Sequence, residues 1–276
     1  NTTTEFVGGD MTDVQVVEVY TATWCENCVY SEHALMDALE NESATVLVHH
    51  RSIGESQDPF GTEAGDVRWM DLYGETSAEA ASGLQRAAPS VVFDGHRFVA
   101  GSAPQGDSLE SDYTEMFADK HNFRNNMPNY CCSSNFTWTG DNSSGTLEWS
   151  AILPAPWNMG WTTRLMVVEH SAYFPDGSNG MEYYEDVVRM VVDLQVDAYP
   201  GPDGLNDGFQ TYGGTEDIQL PAAWDGDDLS LVVVHEWEDA MIWDPEPESP
   251  DSGFLPGFLA PLGLIALGAA ALARRE

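Results

Sequence analysis

A close pair of cysteines at a strand–helix junction is the feature that most restricts how this chain can fold. Residues 14–20, VQVVEVY, are mainly β-branched and apolar, which predicts a strand at the centre of a sheet. Residues 21–28, TATWCENC, follow directly, and a helix is predicted from Glu26 onward. At a helix N-terminus, unpaired N–H groups and the positive end of the helix dipole would stabilise the thiolate of Cys25, one turn before Cys28.

The helix after the cysteine pair is expected to bury one apolar face. Val29, His33, Met36 and Leu39 recur at helical spacing and are predicted to share that face.

The remainder of the first half alternates predicted strands and helices. A second strand is predicted at 45–53, a hairpin within 88–101, and a closing helix within 108–122. Residues 54–86 lie between the second strand and the hairpin and contain a short amphipathic helix near 63–73.

This order of elements, with Trp-Cys-x-x-Cys at the first strand–helix junction, resembles the thioredoxin family. The segment APSVVF at 88–93 also resembles that family, in which an X-Pro bond before a sheet strand is cis and packs against the cysteine pair. The resemblance implies an α/β thioredoxin-like domain over residues 13–124, with residues 54–86 as an insertion.

The same resemblance implies roles for five residues. Cys25 would attack a disulfide and Cys28 would resolve the mixed disulfide, so that the oxidised protein contains a Cys25–Cys28 disulfide. Trp24, Ala88 and Pro89 would frame the cleft and bind substrate, with the backbone beside the proline free to pair with an extended peptide. The implied partners are protein thiols and disulfides, and no cofactor is expected.

Two positions depart from the family pattern. The buried acid that many members use to move a proton to the resolving cysteine would align at Val19, and the neighbouring Glu18 should face the other side of the strand. Glu26 places a negative charge beside Cys25, which opposes thiolate formation and should make the pair less oxidising. The direction of electron flow is therefore left open.

The second half, residues 130–242, changes to short β segments separated by turn signals, which predicts an antiparallel sandwich of six or seven strands. Cys131 and Cys132 could form a vicinal disulfide, exchange electrons with the first pair, or remain separate. Metal binding is a further alternative at two dipeptides, Glu169-His170 and His235-Glu236, if they converge across two strands. Neighbouring His49 and His50 point to opposite faces of a strand and cannot both bind one ion.

Net charge excludes one class of partner. The chain has 46 Asp and Glu residues against 10 Lys and Arg, a formal net charge of −36. A field of that sign repels phosphate backbones, so nucleic-acid binding is not expected. The carboxylates are spread along the chain and no calcium-binding loop motif is present, which favours a surface adapted to a salty medium.

The C-terminal segment is predicted to be a membrane anchor. Residues 254–273 are twenty uncharged, mostly apolar residues, long enough to cross a bilayer as a helix. Arg274 and Arg275 follow, which places them in the cytoplasm and the rest of the chain outside. This segment also resembles the sorting tails of archaeal surface proteins, in which the helix is exchanged for lipid. The resemblance lies in the order of its parts: an acidic stalk, Pro-Gly-Phe at 256–258, an apolar run and a basic end.

Three further patterns fit an exported protein. Four N-x-S/T sequons occur, and the sequence starts without Met, as expected after removal of a signal peptide or for a chain trimmed in another way. The cysteines come only as close pairs, which suits an oxidising compartment. The sequons lie at Asn1, Asn41, Asn135 and Asn142.

These patterns predict an α/β thioredoxin-like domain followed by an all-β sandwich-like domain and a C-terminal transmembrane helix. The expected function is that of an extracytoplasmic, membrane-anchored thiol–disulfide oxidoreductase, of unknown substrate and oligomeric state. The alternatives are a non-enzymatic surface module with a structural disulfide, and a copper carrier that uses both cysteines and a nearby histidine. The expected organisation is an N-terminal extension (1–12), the first domain (13–124), the second domain (130–242), an acidic Pro-rich stalk (243–253) and the anchor or sorting tail (254–276).

Overall fold

The described part of the chain consists mainly of two β-sheets. The computed structural model describes residues 2–6, 15–40, 42–118, 133–154, 160–195, 197–199, 209–226, 228–238 and 264–269. Within these ranges the strands form one sheet of five strands and one of eight, accompanied by three helices.

The five-stranded sheet is antiparallel throughout. In spatial order its strands are β1 (Thr2–Phe6), β6 (Ser133–Gly140), β7 (Ser144–Pro154), β11 (Phe209–Gln219) and β10 (Asp197–Tyr199).

The eight-stranded sheet combines strands from both halves of the chain. In spatial order they are β13 (Leu264–Ala269), β12 (Leu229–Glu238), β8 (Gly160–Tyr173), β9 (Tyr183–Leu194), β3 (Ala44–His50), β2 (Gln15–Thr21), β4 (Ser90–Phe93) and β5 (Arg97–Ala100). The β2–β3 and β3–β9 pairs are parallel, and the other pairs are antiparallel. The β3–β9 pair, at Val48 and Val187, joins the first half to the second in one sheet.

Three helices cover the first-half end of this sheet. They are α1 (Glu26–Leu39), α2 (Glu63–Ala80) and α3 (Leu109–Ala118). Val19 packs with buried residues of α1 and α3, whereas the next residue, Tyr20, stacks on Trp69 of α2 with ring centroids 4.6 Å apart. Because successive side chains of a strand point to opposite faces, the helices cover opposite faces of the sheet.

The helix after the cysteine pair buries a different face from the one predicted. Met36 is 58% exposed and His33 is also exposed. The buried residues of α1 include Cys28, Leu35 and Ala38. The prediction was wrong because small alanines, which let the helix approach the sheet closely, carry less weight in a hydrophobic pattern than Val and Met.

The two sheets pack face to face through a common core in the second half. Trp138, Leu147 and Trp149 of the five-stranded sheet lie in one buried cluster with Leu165 and Val233 of the eight-stranded sheet. Burial of these side chains is the main source of stability at this end of the molecule.

The predicted fold class was wrong. An α/β thioredoxin-like domain followed by a separate sandwich does not describe the structure, which is mostly β, with sheets that both contain strands from the two halves. The strands predicted for the second half divide between the two sheets, and the larger sheet continues through β3 into the first half. A hydrophobic pattern locates a strand but does not identify the strand with which it pairs.

The predicted C-terminal transmembrane helix was also wrong. Residues 264–269, inside the apolar run, form β13 and pair with the buried apolar strand β12, from Val233 opposite Ala269 to Glu238 opposite Leu264. Among the residues that the structure describes, no helix is both long and apolar enough to cross a membrane. An apolar run next to an apolar strand can extend a sheet, which composition alone does not distinguish from a membrane helix. The stalk and the Pro-Gly-Phe segment lie outside the described residues.

His235 is a buried histidine in the core between the sheets. Its two ring nitrogens lie 2.8 Å from Ser134 Oγ and 3.0 Å from Thr163 Oγ1, and its ring packs 5.6 Å from that of Trp149. Burial lowers the pKa of His235 to about 4. This residue is therefore neutral in the folded protein.

Acid should destabilise the protein through His235. The unfolded chain takes up a proton near pH 6.5, but the folded imidazole does so only near pH 4, so stability falls as the pH falls through this window. The pKa difference corresponds to about 3 kcal/mol of unfolding free energy. Denaturant titrations at constant high salt should show this loss in the wild type and a smaller one in His235→Gln. Exposed His33→Gln is the control. If the unfolding free energy of His235→Gln depended on pH as strongly as that of the wild type, the loss in acid would not come from His235.

Candidate functional site

Cys25 and Cys28 form a disulfide at the start of α1, with an S–S distance of 2.03 Å. The pairing implied by the family resemblance is thus present. Cys25 is the N-cap of the helix, and the backbone N–H of Cys28 donates to Cys25 Sγ at 3.2 Å. Cys28 is fully buried, whereas Cys25 is 6% exposed, so an approaching sulfur would reach Cys25 first.

Two of the three residues predicted to frame the cleft pack at this disulfide. Trp24 and Ala88 pack against the cluster formed by the two cysteines and Ala22. The Ala88–Pro89 peptide bond is cis, as predicted.

The loop after β3 holds the ring of Trp24. The indole Nε1 donates to Glu55 Oε2 at 2.7 Å. The guanidinium carbon of Arg51 lies 5.6 Å from the centroid of the ring. These two contacts fix the orientation of Trp24 beside Cys25. Glu55 belongs to the segment that sequence analysis treated as an insertion, and Arg51 to the strand predicted before it.

A buried carboxylate, Asp58, fixes the backbone just before the cysteine pair. Its Oδ2 accepts from the backbone N–H of Thr23 at 2.9 Å and lies 2.7 Å from His50 Nδ1. Its Oδ1 accepts from the N–H of Phe60 at 3.1 Å. The side chains of Asp58 and His50 are fully buried, so this group connects the turn that carries the cysteines to β3.

A second carboxyl group, Glu32, lies one turn after Cys28 on α1. Residues four apart on a helix are neighbours on one face. Glu32 Oε1 accepts from Thr21 Oγ1 at 2.5 Å, and Thr21 pairs with His50 in the β2–β3 register. Burial raises the pKa of Glu32, and the hydrogen bond from Thr21 offsets only part of the increase. This carboxyl group can therefore hold a proton near Cys28.

The tip of the β8–β9 hairpin packs on the cysteine turn from the second half of the chain. The backbone N–H of Asn179 donates to the carbonyl of Thr23 at 3.2 Å, and Tyr184 Oη lies 3.5 Å from the same oxygen. A Cβ on Gly177 would come within 2.1 Å of Tyr184 Oη and 3.0 Å of that carbonyl, so this approach requires glycine. Sequence analysis missed this contact because it assigned the hairpin to a separate domain.

Glu18 faces away from the disulfide, as predicted for its strand position. Its carboxylate is buried under α2, where Arg68 pairs with it, Tyr73 Oη donates to it at 2.5 Å and His49 Nε2 lies 3.0 Å away. Burial alone would raise its pKa, but Arg68 and the hydrogen bonds hold the pKa of Glu18 well below its usual value. This group is a structural ion network on the face opposite the cysteines.

The residues considered for metal binding have other partners. Arg68 and Arg164 bind Glu236, and Glu169 pairs with Arg189. Within the ranges that the structure describes, no group of three or more His, Cys, Asp and Glu side chains could hold a metal ion. Cys131 and Cys132 lie outside those ranges.

Comparison with known proteins gives structural neighbours only. No protein-family model and no curated protein sequence matches the chain. HBP35 of Porphyromonas gingivalis has a similar structure, with a TM-score of 0.55 and 13% identity over 83% of this chain and 70% of that one. A protein of Agrobacterium tumefaciens gives a TM-score of 0.46 and 16% identity over 80% of this chain and 84% of that one. At this level of identity the first similarity concerns the fold alone.

Proposed function

We propose that this protein is a thiol–disulfide oxidoreductase that exchanges disulfides with protein substrates through Cys25 and Cys28. The observation that carries the proposal is the arrangement of the pair, with the outer sulfur at a helix N-cap and the inner sulfur buried one turn later. The Trp-Cys-x-x-Cys and Ala-Pro segments that suggested a redox centre in the sequence lie together around this pair. An extracytoplasmic location is part of the proposal, since disulfides persist in oxidising compartments.

The exchange needs two steps. In the reduced protein the Cys25 thiolate attacks a substrate disulfide, forms a mixed disulfide and releases one substrate thiolate. Cys28 then loses its proton and attacks Cys25 Sγ, which releases the second substrate thiolate and forms the Cys25–Cys28 disulfide. In the reverse direction the disulfide form of the protein oxidises a substrate dithiol. The geometry permits exchange in both directions.

The helix N-terminus would activate the first step. The N–H of Cys28 already donates to Cys25 Sγ in the disulfide form. In the reduced protein the same donor and the helix dipole would stabilise a negative charge on that sulfur. Cys25 is therefore the nucleophile of the proposal.

Glu32 would accept the proton in the second step. The Cys28 thiol is buried, so its proton needs an acceptor inside the protein. Glu32 lies on the same helix face one turn away, and burial favours the protonated form of its carboxyl group.

The proposal is tested by trapping the mixed disulfide in protein that carries Cys131→Ser and Cys132→Ser. Reduced protein is mixed with 5,5′-dithiobis(2-nitrobenzoate), and released thionitrobenzoate and protein mass are followed. The intact pair should release two thionitrobenzoate anions and retain none, because Cys28 displaces the second. Cys28→Ser should release one and retain one on Cys25. Slow labelling of Cys25→Ser and Cys28→Ser at equal rates would contradict the assigned roles.

Replacing Glu32 with glutamine should slow the second step. General acid–base groups contribute on the order of 100-fold, so release of the second thionitrobenzoate should slow by about that factor near neutral pH. Raising the pH should restore much of the rate, because hydroxide and buffer then remove the Cys28 proton. Glu40→Gln, at the exposed C-cap of the same helix, is the control. A uniform slowing of both steps at all pH values would show that Glu32 is only structural.

A further inference from the structure

Three exposed aromatic side chains lie near the loop that connects β8 to β9, at the ends of the two strands. Tyr173 is 41% exposed, Tyr183 is 55% exposed and Trp224 is 42% exposed. The two tyrosine rings pack with centroids 5.0 Å apart, and Trp224 Nε1 donates to the carbonyl of Tyr173 at 2.8 Å. We call these three residues the aromatic platform.

The platform is held in place by packing beneath it. The ring of Trp224 lies 5.2 Å from that of Phe60 and 5.8 Å from that of Phe174. Arg189 stacks 6.0 Å from the Trp224 centroid and is itself paired with buried Glu169. Side chains fixed in this way lose little conformational entropy when a partner binds.

A continuous set of contacts links the platform to the redox pair. Phe60 packs against both Trp224 and Tyr184, and Tyr184 Oη lies 3.5 Å from the carbonyl of Thr23, two residues before Cys25. Phe60 and Tyr184 are buried, so a substrate would pass over these contacts and not along them. An extended peptide advances about 3.3 Å per residue, so it needs at least about five residues to cover the distance. A substrate bound through its cysteine to Cys25 could therefore reach the platform with residues close in sequence to that cysteine.

The charge around the platform selects a cation. Residues 173–186 contain four carboxylates and no Lys or Arg, and the charge of Arg189, which touches the ring of Trp224, is balanced by Glu169. Two of these carboxylates, Asp176 and Glu182, are exposed on the hairpin. Exposed rings beside carboxylates favour the guanidinium of Arg or the ammonium of Lys, through cation–π contact and ion pairing together.

We propose that the aromatic platform binds a Lys- or Arg-bearing segment of the protein substrate, a few residues from the cysteine that reacts with Cys25. This inference rests on the proposed exchange function and gives it a substrate class. It also assigns a task to the second half of the chain, whose hairpin would hold the substrate while the cysteines react.

Two matched peptide disulfides test the platform. Each peptide contains one disulfide, and the two peptides differ only in carrying Arg or Gln six residues from the reacting cysteine. The second-order rate of disulfide exchange with the reduced protein is measured at low and high salt. We expect the Arg peptide to react about 5- to 10-fold faster than the Gln peptide with the wild type. The advantage should persist in part at high salt, because contact with aromatic rings is less screened than long-range attraction.

Variants separate the platform from the general negative charge. Trp224→Ala and Tyr183→Ala should each reduce the preference for Arg by at least half, whereas Met36→Ala, which removes an exposed side chain on α1, should leave it unchanged. Because Trp224 also packs on Phe60, Tyr183→Ala keeps the test valid if the tryptophan variant unfolds. An unchanged preference in folded variants would overturn the platform while leaving the exchange function intact. Failure of reduced wild-type protein to react with 5,5′-dithiobis(2-nitrobenzoate) would instead count against the exchange function.

Discussion

Replacing Arg68 with alanine is expected to lower the free energy of unfolding by about 3–5 kcal/mol. The guanidinium of Arg68 is buried under α2 and binds two buried carboxylates. Its Nη2 donates to Glu18 Oε1 at 3.0 Å and its Nε to Glu236 Oε1 at 2.9 Å. Without the cation, two negative charges would remain inside the protein with insufficient compensation.

The position of this network makes the effect global. Glu18 belongs to β2, Glu236 to β12 and Arg68 to α2, so one side chain connects strands from both halves of the chain. Arg68→Lys should lose less stability, because it keeps the charge but not the planar fork that reaches both carboxylates.

Chemical denaturation at fixed high salt measures the loss. Val67→Ala, a change at a 42% exposed neighbour on the same helix, is the control and should stay within about 0.5 kcal/mol of the wild type. A loss below about 1 kcal/mol for Arg68→Ala would mean that the buried ion network is not formed as described.

Replacing Cys25 with serine is expected to remove catalysed disulfide exchange completely. A hydroxyl group does not form disulfides, and the remaining sulfur, Cys28, is fully buried and cannot meet a substrate. Cys28→Ser should keep the first step, so it should accumulate mixed disulfide and lose turnover. The two variants therefore fail in different ways.

Dithiothreitol-driven reduction of the disulfides of insulin measures this turnover. The rate with Cys25→Ser should equal the rate without protein. The double variant Cys131→Ser/Cys132→Ser should keep the wild-type rate, since the proposal uses only the first pair. Retention of activity in Cys25→Ser would contradict the proposed function. Loss of activity in the double variant would contradict the statement that only Cys25 and Cys28 take part in the exchange.

Local elements of the first half could be predicted from the sequence. The strand predicted at 14–20 is β2, Gln15–Thr21, and the helix predicted from Glu26 begins there. The hairpin predicted within 88–101 is formed by β4 and β5. The strand follows from a run of β-branched apolar residues and the hairpin from its turn residues, which lie within a few positions of one another.

The arrangement of these elements could not be predicted in the same way. The parallel contact between Val48 and Val187 joins positions far apart in sequence, and a β-branched pattern fits any buried neighbour. The apolar residues 264–269 illustrate the same limit, because their composition suits a membrane helix as well as the strand that pairs with β12. Sheet partners depend on the whole packed molecule.

The candidate site divides along similar lines. Trp24, the cysteines and the Ala-Pro segment were found because they form short motifs. Asp58 was missed because nothing in its local sequence indicates that it binds the Thr23 backbone. Glu32 could have been found, since it lies four residues after Cys28 on a predicted helix.

The midpoint potential of the Cys25–Cys28 pair tests the central claim most directly. It is measured in the Cys131→Ser/Cys132→Ser protein at high salt, by equilibration with redox buffers, thiol trapping and mass analysis. The account predicts a midpoint between about −120 and −270 mV, the range of working thiol–disulfide catalysts. A pair that remains oxidised below about −300 mV would identify a structural disulfide and contradict the proposed function.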